Sequence, residues 1–254
     1  MHLKAPAPFY LVCANPRVGS TLFCEILKAT ASAGWITEPF DSDAESRLRR
    51  EWQFDAPSRA RFIQQAIIRS RTPNGVGGAK IMWVYLDAFL SDLVAFENLR
   101  GLASGVERFA GAFGECRAVH LSRRNKVRAA ISCWLASTTG EWFWYGRAPR
   151  RPAPEVPDLW TISRLHAEMH AAEIGWPLLL KAAHINSKTI FYEDWIDDPL
   201  ANVLAIANKH LGAQLEPDIQ IKVALPERQA DEATDRIEAQ WIDLTGGCPH
   251  CGDS

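Results

Sequence analysis

The sequence is short of several features, and each shortage excludes a class of protein. No apolar run approaches the roughly 18 residues a membrane-crossing helix needs, and the apolar stretch in MHLKAPAPFYLVCANPR is too short for a secretory signal. Positive charge is not in excess: 28 basic against 30 acidic residues leave a formal charge of −2, which argues against a broad nucleic-acid-binding surface. Any anion site must therefore be a local cluster. Six cysteines in 254 residues do not make a disulfide scaffold, so reduced thiols and a cytoplasmic location are expected. The CPHC at 248–251 supplies only half of a tetrahedral zinc site, and no metal is expected. No internal repeat or low-complexity tract occurs. Nor does G-x-x-x-x-G-K-[ST], which argues against ATP hydrolysis with bound magnesium.

What is present is ample for a large buried core, with 47% hydrophobic residues. Ten tryptophans are unusual; most must be core, but a surplus of aromatics can also line a site for a sugar or a flat ring. Four short apolar runs read as buried parallel strands: FYLVCA (9–14), GAKIMWVY (78–85), RAVHLS (117–122) and KTIFY (188–192). Helical spacing follows two of them. Leu22, Phe23, Ile26 and Leu27 make one stripe, and Val127, Ala130, Ile131, Trp134 and Leu135 make another. In DDPLANVLAIANKHLG, Asp198 caps, Pro199 suits the first helical position and Gly212 ends the helix. Further helices are expected at 58–70, 86–97 and 161–183. Alternation of this kind predicts one α/β domain over residues 1–254, three layers deep around a mainly parallel sheet. The Pro-rich stretch 146–160 reads as a surface loop, and about 242–254 as a flexible tail.

Two strand-to-helix turns carry the chemistry. In an α/β sheet, ligands sit beyond the carboxyl ends of the strands, where a helix presents its first N–H groups. NPRVGST offers Gly19 for close backbone approach, Ser20 and Thr21 as hydroxyls, and Arg17 as fixed charge. An ordinary turn with a solvated Arg17 and a capping Ser20 explains the same residues equally well. The second turn, HLSRRNKVRAAIS, shifts the balance. It brings Arg123 and Arg124 after another buried strand, with Ser132 on a helix face partly shared by Arg128. Two such turns on one sheet imply a ligand with two separated anionic groups.

Together, PRVGST and RRNKVRAAIS resemble the two signatures of sulfotransferases that use 3′-phosphoadenosine 5′-phosphosulfate (PAPS). RTPNGVGGAKIMW (71–83), EIGWPLL (173–179), FYEDWIDDPLANVLAIANKHLG (191–212) and ERQADEATD (227–235) look like the bacterial trehalose 2-sulfotransferase family. The resemblance implies a sheet like that of P-loop kinases without their magnesium chemistry, and a homodimer. It implies that Arg17, Gly19, Ser20 and Thr21 bind the 5′-phosphosulfate, with Arg17 stabilising charge on the leaving phosphate. For the 3′-phosphate, a spacing of eight to Ser132 selects Arg124 and a spacing of nine selects Arg123. The resemblance also implies Glu38 as general base. The approach to it departs from the family: Trp35, Ile36 and Thr37 replace acidic and proline residues, and Pro39 stands where an aromatic is common. Asn15, Pro16 and Val18 likewise replace a serine-rich form.

His120 competes as base, although its apolar neighbours point to a structural role. Glu193 and Asp194 read as structural. Trp142, Trp144 and Tyr145 in GEWFWYGR, with Trp83, are candidates to stack on a sugar ring, against an equal reading as core aromatics. Arg228 is a weaker candidate. The expected activity is transfer of a sulfuryl group to a sugar or glycolipid hydroxyl. The alternatives are the same fold acting on a lipopolysaccharide or natural-product hydroxyl, and a non-catalytic nucleotide-binding protein that kept the two anion loops.

Overall fold

A computed structural model of the chain describes residues 9–143, 145, 151–213, 215 and 232–246. Its centre is a four-stranded sheet with every neighbouring pair parallel, in the order β2-β1-β3-β4. The strands are β1 (Phe9–Ala14), β2 (Gly77–Met82), β3 (Arg117–Ser122) and β4 (Asn186–Phe191). Because side chains alternate along a strand, β1 divides its residues between two layers. Phe9, Leu11 and Cys13 join a core with Phe40, Phe62, Phe89, Phe109, Phe113 and Trp176. Tyr10, Val12 and Ala14 face the other way, toward Phe23, Ile26, Leu27, Trp195 and Val203. Both faces of β1 are thus covered, which explains its unbroken apolar run and makes the fold a three-layer α/β/α sandwich.

Helices α1 (Ser20–Ala29), α2 (Ser42–Trp52) and α3 (Arg59–Arg69) lie between β1 and β2, and α4 (Leu86–Asp92) and α5 (Gly105–Phe113) between β2 and β3. After β3 come α6 (Lys126–Thr139) and α7 (Leu159–Ala182); α8 (Pro199–Ile206) and α9 (Glu232–Thr245) follow β4. Helices α6, α7 and α9 enclose a third apolar cluster that includes Ile131, Trp134, Ile162, Met169, Ile237 and Trp241. None of the helices among the described residues is long and apolar enough to cross a membrane. Described cysteines are free, and burial pushes the Cys24 thiol up to about 12.

Several boundaries differ from the sequence expectation for physical reasons. Strand β2 stops at Met82, which pairs with Ala14, the last residue of β1; beyond it the ladder has no partner and Trp83–Tyr85 turns into α4. Strand β4 is an edge strand whose first residues, Asn186, Ser187 and Lys188, are exposed, so it is not apolar on both faces. The helix expected over 86–97 ends at Asp92 and continues as tight turns. Helix α9 runs through Ile242, Asp243, Leu244 and Thr245, into the stretch expected to be a tail. Asp198 accepts from the amide of Ala201, and Gly212 closes the helix with φ 69°.

Strand order places the chemistry. From β1 the chain crosses to β2 on one side, then returns to β3 on the other side of β1. The loops leaving β1 and β3 therefore diverge and open a crevice at the carboxyl ends of two adjacent strands.

Candidate active site

The turn after β1 holds two left-handed residues, Arg17 (φ 67°) and Gly19 (φ 80°). For arginine such a backbone is uncommon and strained, a condition that clusters at binding sites. Gly19 is irreplaceable for a second reason: a Cβ there would sit 2.7 Å from Cδ2 of Tyr192 and 2.9 Å from Cζ2 of Trp195. It is the N-cap of α1, and no side chain caps that helix among the described residues. The amides of its first turn have no intrahelical acceptor, which makes this end a natural cradle for an oxyanion. Gly19→Ala is expected to cost about 1–3 kcal/mol of stability from φ and the clash together, read as a lowered urea midpoint. An unchanged midpoint would show that the turn is not held as described.

The turn after β3 meets the first one directly. Arg17 Nε donates to Ser132 Oγ at 2.9 Å, and Arg17 Nη1 to the carbonyl of Trp142 at 2.6 Å. Arg123 Nη1 donates to the Arg17 carbonyl at 3.3 Å, and its guanidinium lies 5.0 Å from the centre of the Tyr192 ring. Its neighbour points elsewhere. Arg124 binds Asp194 through both Nη atoms, at 2.7 and 2.9 Å, and covers the Phe191 ring. Glu193 accepts the Arg124 amide at 3.0 Å and so braces the turn ahead of α6.

Glu38 lies on the wall of the same cleft. Thr37 forms an isolated parallel bridge with Ala79, and its carbonyl accepts the Lys80 amide at 2.8 Å, which docks this segment on the free edge of β2. Docking there sets the Glu38 carboxylate 2.8 Å from the Lys80 ammonium. Tyr85 donates its hydroxyl to Glu38 at 3.2 Å. Burial, with the nearby carboxylate, pushes the Tyr85 phenol well above its usual value, so it stays a donor. Asp41 is nearby; burial raises its carboxyl, with Glu38 and Asp43 adding to the effect and the Asp43 amide opposing it.

These groups line one cleft of about 680 Å3, which Arg17, Gly19, Ser20, Thr21, Arg123 and Ser132 share with Glu38, Lys80 and Tyr85. Comparison with known proteins fits the same plan. A family model described as Stf0 sulphotransferase matches residues 9–244. The chain belongs to that family. It is 28% identical over 259 residues to the trehalose 2-sulfotransferase of Mycolicibacterium smegmatis, covering 92% of each chain. It is also 28% identical over 260 residues to the trehalose 2-sulfotransferase of Mycobacterium tuberculosis, again covering 92% of each.

Within this Stf0 sulphotransferase, the expected site residues divide. Arg17, Gly19, Ser20, Thr21, Glu38, Arg123, Ser132 and Trp142 line the cleft, whereas Arg124, Trp83 and Tyr145 are not among its lining residues. Trp83 turns inward against Trp176, with ring centres 5.5 Å apart, into space that exists because residue 175 is glycine. His120 is core: its Nδ1 faces Thr189 Oγ1 at 3.3 Å, and burial, with Lys126 adding, lowers its pKa to about 4. Trp144, Arg228 and the CPHC pair lie outside the described residues. No cluster able to hold a metal occurs among the described residues. Lys80 and Tyr85, which line the cleft beside Glu38, were not among the expected residues, and of the two Lys80 carried a signal. That signal was a charge in the middle of the otherwise apolar GAKIM run, where a buried lysine calls for a partner.

Proposed function

We propose that this sulfotransferase moves a sulfuryl group from PAPS to a hydroxyl of a carbohydrate acceptor, a trehalose-like sugar or a glycolipid. The names of the two mycobacterial relatives support the acceptor class. The observation that carries the reading is the Arg17–Ser132 bond, which joins the two turns in a cleft that Glu38 also lines.

The residues fit a nucleotide with phosphates at both ends. Gly19, Ser20, Thr21 and Arg17 suit the 5′-phosphosulfate, for which the uncapped first turn of α1 offers amide donors. Ser132 and Arg123 suit the 3′-phosphate; Arg124, turned to Asp194 and not among the cleft residues, does not. A bound donor supplies an activated sulfuryl group. Glu38 takes the acceptor proton as the acceptor oxygen bonds to sulfur. The S–O bond to the 5′-phosphate breaks with its electron pair left on phosphate oxygen, where Arg17 offsets the charge. On this reading the Lys80 ammonium, paired with Glu38 before the reaction, turns to the sulfuryl oxygens once Glu38 is neutralised by the proton. Most of the acceleration in such an in-line displacement comes from positioning and electrostatics. Trp142 and Phe143, both cleft residues, supply aromatic faces for a sugar ring. Assembly as a homodimer belongs to the same reading.

Thermal unfolding with adenosine 3′,5′-bisphosphate tests the donor assignment. At about 100 times Kd, linkage adds ~2.7 kcal/mol, a rise in Tm of about 5–10 °C for a chain of this size. ATP with magnesium should give much less. Equal shifts, or none with the bisphosphate, would remove the donor from this reading.

A further inference from the structure

Helix α9 reaches the cleft by an unusual route. Thr234 in its first turn lines the cavity, and so does Arg128, one turn before Ser132 on α6 and on the same side of that helix. Arg128 donates from Nη1 to Glu238 and from Nη2 to Asp235, each at 2.6 Å. The two acids are unequal partners. Glu238 is 12% exposed and is held again by Asn125 Nδ2 at 2.7 Å, whereas Asp235 is 65% exposed. Glu238 is thus the enclosed anchor of the guanidinium, and Asp235 the solvent-facing partner.

We propose that Arg128 reads the 3′-phosphate of the nucleotide together with Ser132 and Arg123, and that Asp235 holds the place of that phosphate until it arrives. The inference rests on the donor assignment above. A guanidinium has five N–H donors, of which the two carboxylates occupy two. An exposed carboxylate pair contributes little, roughly 0–1 kcal/mol, while a phosphate binds the planar fork with two charge-assisted bonds. Exchange therefore favours phosphate without releasing Arg128 from Glu238. Asp235 also imposes selectivity. A nucleotide without a 3′-phosphate has nothing to replace it with, so the exchange rewards only 3′-phosphorylated ligands. The pairing also gives α9 a place in the site. Ile237 and Trp241 of the same helix pack into the α6–α7 cluster and fix where it lies.

The test is calorimetric binding of adenosine 3′,5′-bisphosphate and of adenosine 5′-monophosphate to the full chain at low salt. Arg128→Gln is expected to weaken the bisphosphate about 10–100-fold and to leave the monophosphate within about threefold. Arg128→Lys keeps a cation beside Glu238, should retain the wild-type Tm, and is expected to lose about tenfold for the bisphosphate alone. Asp235→Asn should tighten the bisphosphate about 3–10-fold, again without change for the monophosphate. Equal effects on both nucleotides, or weaker bisphosphate binding by Asp235→Asn, would overturn the proposal. If Arg128→Gln fails to fold, Arg128→Lys and Asp235→Asn decide the matter. If the wild-type chain binds neither nucleotide, the donor assignment itself falls, a result distinct from these.

Discussion

Glu38→Gln is expected to slow sulfuryl transfer by about 10²–10⁴-fold while adenosine 3′,5′-bisphosphate binds as before. The amide keeps the shape of the side chain and can still accept from Tyr85, so cleft geometry should survive. What it loses is the ability to take a proton. A sugar hydroxyl is a poor nucleophile unless its proton leaves as the new bond forms, so the loss should fall on kcat. The substitution has a structural side effect. Lys80 is only 7% exposed and its ammonium would lose its carboxylate, so stability should fall as well. Binding of the bisphosphate in the same preparation separates the two effects. Transfer within about threefold of wild type would mean that another group takes the proton.

Lys80→Met is the second large effect. Removing the ammonium leaves the Glu38 carboxylate without its ion pair, although that side chain is 21% exposed and water compensates in part. A stability loss of about 1–3 kcal/mol is expected in urea titrations. If Lys80 faces the sulfuryl oxygens as proposed, transfer should fall about 10²–10³-fold with the loss of that cation. The double variant Glu38→Gln/Lys80→Met makes the physical claim sharper. With both charges gone, neither is left unmatched, so it should be more stable than the sum of the single losses implies. Activity should stay at the level of the slower single variant, since the two act as a unit. Additive stability losses, or transfer by Lys80→Met near wild-type rate, would separate Lys80 from the reaction.

Much of the architecture was readable in the residues. β1 was recognisable because it is apolar on both faces, which only a strand covered by two helical layers can be. The capped start of α8 and its glycine stop followed from Asp198, Pro199 and Gly212. Helix α2 was not legible: SDAESRLRREW has few apolar residues, and only Ala44 and Leu48 are buried. Helix α5 did carry a signal, the Ser104–Glu107 capping box, which went unread.

By itself, the sequence determined the three-layer fold, the two arginine-bearing strand-to-helix turns and the absence of a P-loop lysine, because strand period, helix stripes and glycine positions are local properties of the chain. The tertiary structure alone decided which groups meet. Arg123 and Arg124 are adjacent and chemically identical, yet one faces the cleft and the other is clamped by Asp194, a partner 70 residues away. Lys80 and Glu38 become a pair only because Thr37 docks on the edge of β2. Arg128 is tied to α9 by acids 107 and 110 residues further along. Such pairings depend on how the sheet brings distant segments together and on which side chains are close enough to neutralise one another, and no local pattern encodes either.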